Sequence, residues 1–447
     1  MIKLMNILKN YLKVKRIQKY SPEKFRRWQN KQLQKHLKWI NTHSPYFEQL
    51  KKNDLLKAPD LAQYPFMNKQ IMMENFDELN TKGVGKEEAF RVAIEAEENR
   101  NFSPTIGSIT VGLSSGTSGN RGIFLVSKEE QSAWAGTILA KLLPNGFKSK
   151  EKIAFFLRAN SNLYESVRNK KIEFAFYDLL DHFDTHIKRL EEYQPTILAA
   201  PPSMIRQIAS AVSENKLSIS PIKIITMAEV LDPLDESFIE SVFNQKIHQV
   251  YQCTEGFLGC SCSHGTIHLN EDLVYIEKEF LDNDRTKFYP IVTDFKRRTQ
   301  PIIRYRLNDI LTLKSEPCPC GSPMLAIEQI EGRMDDLFIL KNKHNGNLEH
   351  VFPDFVRRAC ISASENLKEY IVMQHNPHDI EVQCLVFDET KRQRTEENIR
   401  TNLNAFFQQY YESPKITFRA YQENDRTAKL KRIKNNMEVN KVVQSAF

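Results

Sequence analysis

The sequence predicts an α/β protein with a large N-terminal domain of mixed and parallel sheets, followed by a small α+β domain. The chain has 447 residues, about three times the length that one hydrophobic core usually serves. From about residue 108, short β-rich runs alternate with helical stretches, which is typical of parallel strands joined by crossover helices. After Pro290 strands and turns dominate, and a second set of strands and helices follows residue 332.

The predicted elements follow in order along the chain. Residues 1–100 are polar, with apolar residues at helical spacing in FRRWQNKQLQKHLKWI. The candidate strands of the central part are SITVGLS, GIFLVS, KIAFFLR, TILAA, IKIITMA and IHQVYQ. Helical patterns such as DTHIKRLEEY and DESFIESVF separate most of them. We therefore predict residues 1–100 as a helical part of the large domain, 101–332 as its core and 333–447 as the C-terminal domain.

Composition and charge exclude several classes of protein. Hydrophobic residues make up 41% of the chain and charged residues 27%, which excludes intrinsic disorder. The net charge of +7 is unevenly distributed, because residues 1–40 hold twelve Lys or Arg and one acid, Glu23. The rest of the chain is therefore slightly acidic, which argues against a nucleic-acid-binding protein. No apolar run approaches the ~20 residues of a membrane span.

The amphipathic segment MIKLMNILKNYLKVKRI predicts a surface helix with a solvated face, and weak peripheral contact with anionic lipid is the alternative. Lys9 and Lys13 interrupt its apolar residues, which argues against a signal peptide. The odd number of cysteines, seven, favours a reducing compartment, so we expect a cytoplasmic protein. The sequence leaves the oligomeric state open, a homodimer included.

A loop rich in Gly, Ser and Thr is the first candidate site. SSGTSGNRG at residues 114–122 lies between two predicted strands. Such loops direct backbone N–H groups at phosphate oxygens, and the hydroxyls add further donors. The loop is not a Walker motif, because Asn120 follows Gly119 where that motif needs Lys. An ordinary hairpin turn is the alternative.

Six motifs in order along the chain resemble the acyl-adenylating, or AMP-binding, superfamily. SSGTSG resembles its phosphate-binding signature, MAE (227–229) its adenine wall and YQCTEG (251–256) its YGxTE motif. YRLND (305–309), GRMDD (332–336) and AKLKR (428–432) resemble the remaining motifs. SPYF, PFMNK and a Cys/His pattern favour the phenylacetate–CoA ligase branch. FFLRANSNLYES and IHLNED resemble a clade related to deazaflavin-cofactor adenylating synthetases.

The resemblance implies an adenylate-forming large domain, a mobile C-terminal lid and a role for each matching residue. Glu255 would bind Mg²⁺, Thr254 the α-phosphate of ATP, and Lys429 the attacking carboxylate together with that phosphate. Asp335 would be the hinge. The remaining implied contacts to ATP or AMP belong to Ser114, Ser115, Gly116, Thr117, Ser118, Gly119, Ala228, Glu229, Tyr251, Asp309 and Arg333.

Several positions depart from the family pattern. Gln252 replaces Gly in the tyrosine motif, which would narrow the acyl pocket. Asn308 replaces the Gly before Asp309, and Ala428 replaces the Gly before Lys429. KNKHNGNLEHVFPD stands where a Gly-rich stretch is expected, which leaves the contacts to the thiol acceptor open.

Cysteines and histidines gather in two places, CTEGFLGCSCSHGTIH and CPCG. Two thiols from one loop and a Cys/His pair from another can close a tetrahedral zinc site. The resemblance supports Cys262, His268, Cys318 and Cys320 as ligands, with Cys260 as the substitute. Four protein ligands leave no open position, so this zinc would be structural. Free buried thiols are the alternative.

The predicted function is ATP-dependent activation of a carboxylic acid, with an aromatic acid favoured, and transfer of the acyl group to coenzyme A. Two alternatives remain, of which the first is also an enzyme and the second is a binding protein. One is transfer of AMP to a cofactor hydroxyl, and the other is a zinc-containing nucleic-acid-binding module. The acidic remainder of the chain argues against the second alternative.

Overall fold

The structure is a computed structural model, and it describes residues 2–437 except 54, 57–59, 100, 102, 115–120, 147–149, 158–170, 282, 334–335 and 423–429. The chain divides into two compact units. The large unit comprises Met1–Leu307 and Thr312–Gln329, and the small unit comprises Asn308–Leu311 and Ile330–Phe447. Among the described residues, no helix is both long and apolar enough to cross a membrane.

Helices make up most of the first hundred residues of the large unit, as predicted, and they recur between its later strands. The described ones are α1 (Ile2–Ile17), α2 (Pro22–Ile40), α3 (Pro45–Lys52), α4 (Lys69–Glu74), α5 (Phe76–Leu79), α6 (Lys86–Glu98), α7 (Lys128–Leu142), α8 (Phe183–Tyr193), α9 (Pro202–Ser213) and α10 (Pro233–Phe243).

Two sheets organise the strands. A small antiparallel sheet contains β1 (Thr105–Ile106), β2 (Ile109–Leu113) and β3 (Ile123–Val126). The long sheet has the order β11-β12-β14-β15-β10-β9-β8-β7-β6-β4-β5, with β13 paired to β12. Its strands are β4 (Glu151–Leu157), β5 (Ile172–Asp178), β6 (Ile197–Ala200), β7 (Lys223–Thr226), β8 (Ile247–Cys253), β9 (Gly256–Ser261), β10 (Ile267–Leu269), β11 (Val274–Phe280), β12 (Lys287–Asp294), β13 (Ile302–Arg306), β14 (Asp309–Leu313) and β15 (Ala326–Arg333).

The run from β5 through β4, β6 and β7 to β8 is parallel throughout, which confirms the pairing predicted from KIAFFLR, TILAA, IKIITMA and IHQVYQ. Every residue of β6 and β7 is buried, as expected for parallel strands covered on both faces. Parallel strands end at the same edge of a sheet, so the residues after Ala200, Thr226 and Cys253 lie along one edge. That edge carries several of the predicted site residues.

The predicted strands SITVGLS and GIFLVS behave differently. They form β2 and β3, which pair antiparallel outside the long sheet, with Leu113 opposite Ile123. The expectation of parallel pairing was therefore wrong for these two strands. The reason is the connection from Ser114 to Gly122, which is long enough for a hairpin loop but too short for a crossover.

The small unit has a sheet of its own in the order β20-β19-β18-β21. Gln374 of β18 receives the N–H of Ile339 at 2.8 Å and donates to its carbonyl at 2.7 Å, so one side chain joins two sheets of the unit. The elements are β16 (Phe338–Lys341), β17 (Leu348–Val351), α11 (Pro353–Ile361), β18 (Leu367–Asn376), β19 (Asp379–Val386), α12 (Arg392–Tyr410), β20 (Lys415–Ala420) and β21 (Ile433–Asn435).

Helix α1 is packed more closely than a solvated surface helix. Its Ile7, Val14 and Ile17 are buried. Gly136 of α7 allows this packing, because a Cβ at that position would stand 2.5 Å from the carbonyl oxygen of Ile7 and 2.8 Å from the Cβ of Asn10. One face of the helix therefore belongs to the core, and only its other face matches the sequence-based expectation.

His36 of α2 is a buried ionisable group in the large unit. Its side chain is 2% exposed, and neither ring nitrogen has a hydrogen-bond partner among the described residues. Burial, together with the positive charges of Arg298 and Lys296, lowers the pKa of His36 from 6.5 to about 3. The folded protein therefore holds this imidazole neutral at pH values where the unfolded chain protonates it.

We predict that the large unit loses stability as the pH falls from 6.5 towards 3, by up to about 1.4 kcal/mol per pH unit from His36 alone. Stability falls as the pH falls because the unfolded chain binds a proton at His36 at a higher pH than the folded protein does. His36→Leu should flatten this dependence, whereas substitution of the exposed His344 by Gln should leave it unchanged. Tryptophan fluorescence in urea titrations measures the large unit, which holds Trp28, Trp39 and Trp134. Equal slopes for wild type and His36→Leu would contradict the prediction.

Candidate functional site

The Gly/Ser/Thr loop is closed at its base by two hydrogen bonds. Ser114 N–H donates to the carbonyl of Gly122 at 2.8 Å, and the Gly122 N–H donates to the Ser114 hydroxyl at 2.8 Å. A hydroxyl can accept and donate at once, so Ser114 can serve the loop and a ligand together. The predicted phosphate contacts Ser115, Gly116, Thr117, Ser118 and Gly119 lie outside the described residues.

A lysine from the helical region lies against the same base. A Cβ on Gly122 would stand 3.0 Å from the Cε of Lys69, so glycine at this position leaves room for the lysine side chain. Arg121, the last residue before Gly122, pairs with Glu97 of α6 at 2.7 Å. Both ends of the loop are thus held close together, and the cationic side chains of Lys69 and Arg121 lie beside them.

Thr254 and Glu255 form the two-residue turn between β8 and β9, with Cys253 paired to Gly256. The Glu255 carboxylate therefore lies on a tight turn at the carboxyl edge of the parallel strands, half-buried. Tyr251 is buried two residues before Cys253, beside an irregularity in the β8–β9 register. A fixed turn of this kind places one carboxylate with little freedom, which suits a metal or phosphate site.

Arg297 connects this turn to the hairpin that carries the Gly/Ser/Thr loop. Its Nη1 donates to the carbonyl of Thr254 at 3.1 Å, and its Nη2 donates to the carbonyl of Leu125 in β3 at 3.4 Å. The side chain of Gln300 pairs with β3 as another strand would, accepting from Leu125 N–H at 2.9 Å and donating to the carbonyl of Ile123 at 3.1 Å. Sequence reasoning missed both residues, and no motif marked them.

Two carboxylates fix the segment that holds Arg297 and Gln300. Glu130 of α7 accepts the backbone N–H groups of Arg298 and Thr299 at 2.6 and 2.8 Å. Asp294 accepts those of Lys296 and Arg297 at 2.7 and 3.1 Å. Burial raises the pKa of Asp294 to about 6 despite the nearby Arg297. Residues 294–300 therefore form a rigid bracket, which we call the Arg297 bracket.

The predicted adenine-wall residues follow β7 at the same edge of the sheet. Ala228 has φ +68°, a left-handed conformation that costs a residue with a side chain roughly 1–2 kcal/mol. The carboxylate of Glu229 accepts the backbone N–H of Ser203, at the start of α9, at 3.3 Å. The strained backbone is held where strands β6 and β7 both end, a position typical of ligand sites in α/β sheets.

In the small unit, Asp309 and Arg333 come together as an ion pair. The Nε of Arg333 lies 3.6 Å from the Oδ1 of Asp309, and the carboxylate is the more buried partner, at 15% exposed against 31%. The two carboxylate oxygens of Asp309 are a suitable pair of acceptors for the hydroxyls of a diol. The predicted hinge, Asp335, lies outside the described residues.

Lys429 also lies outside the described residues, but the residues that follow it are firmly held. Arg432 is 6% exposed and pairs with Glu369 at 2.6 Å. Lys431 pairs with Asp336 at 2.8 Å. Lys431 and Arg432 therefore both form ion pairs within the small unit.

The four predicted zinc ligands come together in the large unit. The sulfurs of Cys262, Cys318 and Cys320 and a ring nitrogen of His268 all lie within 4.8 Å of one another. Cys262 Sγ is 3.6 Å from Cys318 Sγ, and Cys320 Sγ is 3.3 Å from His268 Nε2. Thiolates at the usual ~2.3 Å from tetrahedral zinc are about 3.8 Å apart, so the donor atoms fit a zinc ion.

Surrounding groups orient these ligands. The Nδ1 of His268 lies 3.0 Å from the carbonyl of Met324, a contact that fixes the proton on Nδ1 and leaves Nε2 as the donor to a metal. Backbone N–H groups of His264 and Ser322 point at Cys262 and Cys320, both at 3.4 Å. Burial raises the pKa of Cys262 and, to about 12, that of Cys320, and a divalent cation would hold both as thiolates.

The proposed substitute ligand, Cys260, points elsewhere. It is 7% exposed, and its sulfur lies 3.7 Å from the Oδ1 of Asn270. Cys260 is the register partner of His268, whereas the Cys262 N–H donates to the carbonyl of Thr266 at 2.9 Å in the turn between β9 and β10. The Cys/His cluster therefore contains Cys262 and not Cys260.

No family model matches the chain. Its sequence is 25% identical over 340 residues to Protein CapK of Staphylococcus aureus, covering 72% of this chain and 70% of that protein. It is 22% identical over 208 residues to phenylacetate-coenzyme A ligase of Thermus thermophilus, covering 42% of this chain and 44% of the ligase. Among solved structures, 2-hydroxyisobutyryl-CoA ligase in the postadenylation state, in complex with R3-HIB-AMP, gives a TM-score of 0.70 at 15% identity. That match covers 96% of this chain and 94% of the ligase chain.

The chain therefore has the fold of the adenylate-forming CoA ligases. This confirms the predicted α/β class and, at the level of the fold, the resemblance to the acyl-adenylating superfamily. The closer likeness to the deazaflavin-related clade stays a prediction.

We predict that the purified protein contains one zinc ion per chain, held by the four ligands that the structure gathers. Cys262→Ala and Cys318→Ala should each lose the metal and lower the unfolding temperature by several degrees, because a structural metal stabilises only the folded state. Cys260→Ala should keep the metal. Metal analysis and calorimetry of the three variants measure this. A zinc content unchanged in Cys262→Ala but lost in Cys260→Ala would reverse the assignment.

Proposed function

We propose that this protein activates a carboxylic acid with ATP and transfers the acyl group to the thiol of coenzyme A. In the first step a carboxylate oxygen bonds to the α-phosphorus of ATP and pyrophosphate leaves. In the second step the CoA sulfur bonds to the acyl carbon, AMP leaves, and the thiol proton passes to solvent. The fold of a CoA ligase, shared over 96% of this chain, is the observation that carries the proposal.

The Arg297 bracket supports the nucleotide half of this proposal. It joins the turn of Thr254 and Glu255 to the hairpin of the Gly/Ser/Thr loop, so two elements suited to phosphate oxygens are fixed against each other. Developing charge on phosphate oxygens is stabilised best by groups that need no rearrangement. We assign Thr254 to the α-phosphate and the loop from Ser114 to Gly119 to the leaving phosphates.

Glu255 fits the magnesium role that we assign to it. Mg²⁺ keeps most of its waters and usually binds through one or two carboxylates together with substrate phosphates, so a single carboxylate on a fixed turn suffices. When bound, the ion would neutralise charge on the leaving pyrophosphate. The ion pair of Arg333 with Asp309 fits the role of a ribose contact, because a carboxylate accepts two hydroxyl donors.

The zinc site has a structural role in this proposal. The four clustered donors would complete the tetrahedral shell of a zinc ion and leave no position for a substrate. The acid itself, with an aromatic acid favoured, and the cytoplasmic location are parts of the proposal that rest on the sequence. The comparisons support neither AMP transfer to a hydroxyl nor a nucleic-acid-binding module.

We predict that the protein catalyses ATP–pyrophosphate exchange that depends on a carboxylic acid, tested with a panel of aryl, short-chain and fatty acids. Glu255→Gln should lower the exchange rate by about 10²-fold or more, because removing one preorganised charge at a phosphoryl centre costs that much. Glu173→Gln, on the exposed surface of the edge strand β5, is the matched control. Exchange with no acid in the panel, or equal rates for the two variants, would count against the proposal.

Lys429→Ala should slow formation of the acyl-AMP by about 10²–10³-fold and spare thioester formation from synthetic acyl-AMP. The reason is that the lysine is assigned to the attacking carboxylate and the α-phosphate, which meet only in the first step. Lys431 is a poor control, since it pairs with Asp336. Lys415→Ala removes an exposed lysine of the same unit and should change neither step. Loss of both steps in Lys429→Ala would reject the assignment.

A further inference from the structure

Helix α1 has a second apolar face, opposite to the one that packs on α7. Four large apolar side chains of this face are exposed, between 45% and 63% of their surface: Leu4, Met5, Leu8 and Leu12. At 100° per residue they lie within an arc of about 100° on the helix. We call them the N-terminal apolar face. Single exposed leucines are common on protein surfaces. Four large apolar side chains that are adjacent on successive turns of one helix instead indicate a contact surface.

Basic side chains flank this face, and a second set lies on the next helix. Lys9 and Arg16 are exposed beside it on α1, and the helix contains no acidic residue. On α2 five exposed basic residues recur at helical spacing, on the side opposite to its buried residues: Lys24, Arg27, Lys31, Lys35 and Lys38. We call these five the basic stripe. Glu23 pairs with Arg27, and it is the one acid in residues 1–40.

The charge of this region selects the class of ligand. Residues 1–40 carry twelve basic residues against that one acid, whereas the other residues of the chain are slightly acidic in sum. A surface that is both apolar and basic is complementary to an interface that is both apolar and anionic. A second copy would bring two basic stripes together, and a nucleic acid would leave the leucines without a partner.

We propose that the N-terminal apolar face and the basic stripe form a docking surface for an anionic phospholipid bilayer. The leucines and Met5 would enter the boundary between headgroups and acyl chains, as the apolar side of an interfacial helix does. The basic residues would contact lipid phosphates and carboxylates, and salt would weaken these contacts. The contact is peripheral, because Ile7, Val14 and Ile17 stay packed in the protein.

The experiment measures sedimentation of the full chain with phosphatidylcholine vesicles, prepared with and without phosphatidylserine. The protein should bind the anionic vesicles at least tenfold more tightly than the neutral ones, and binding should fall with salt. The double variant Leu8→Gln, Leu12→Gln should lose at least tenfold in affinity. Leu180→Gln, which alters a leucine 50% exposed elsewhere in the large unit, should bind as the wild type does.

A charge variant tests the other half of the surface. Lys31→Glu should weaken binding to the anionic vesicles several-fold, whereas Lys188→Glu, an exposed lysine on α8, should not. Thermal unfolding of every variant confirms that the fold is intact. Equal binding to both kinds of vesicle, or binding unaffected by the leucine variant, overturns the proposal. So does a leucine-dependent dimer in sedimentation velocity, or tighter binding to duplex DNA that survives loss of the leucines.

Discussion

The candidate site depends on one guanidinium. Arg297 donates to the carbonyls of Thr254 and Leu125, which belong to two different sheets. That cation thus links the turn of Glu255 directly to the hairpin of the Gly/Ser/Thr loop, and Gln300 adds a second contact to the hairpin. Charge-assisted hydrogen bonds are about twice as strong as neutral ones, and each bond here ends on a half-buried backbone carbonyl. The carboxylates of Glu130 and Asp294 accept hydrogen bonds from backbone N–H groups of the Arg297 bracket, and these bonds fix the position of the arginine.

The sequence predicts much of this architecture, because its signals are local. Continuous apolar runs such as TILAA mark strands buried on both faces, and the structure confirms their parallel pairing. The Cys/His cluster was equally predictable, since the turn residues Gly265 and Gly321, both with positive φ, bring each pair of side chains onto one side of its turn. Features formed by residues that are close in the sequence can therefore be predicted from the sequence.

Other features depend on contacts between distant parts of the chain, which no local pattern records. In the sequence, Gln300 is a polar residue before a proline and belongs to no motif. In the structure it is 1% exposed, and its side chain is hydrogen-bonded to strand β3, about 175 residues earlier in the sequence. The amphipathic N-terminal segment predicts a surface helix with a solvated face. In the structure its apolar residues form two stripes, and one of them packs against Gly136, where a Cβ would clash with α1.

The glycine contact between α1 and α7 also fixes a direction. Helix α7 begins at Lys128, directly after β3 and its capping residue Ser127. Because α1 lies against Gly136 with no room for even a methyl group, α1 cannot slide along α7 without a clash. The packing of α1 on α7 and the direct connection of α7 to β3 therefore set the orientation of α1 relative to the hairpin. Whatever surface α1 rests upon, the base of the Gly/Ser/Thr loop, at Ser114 and Gly122, keeps a constant tilt and height above it.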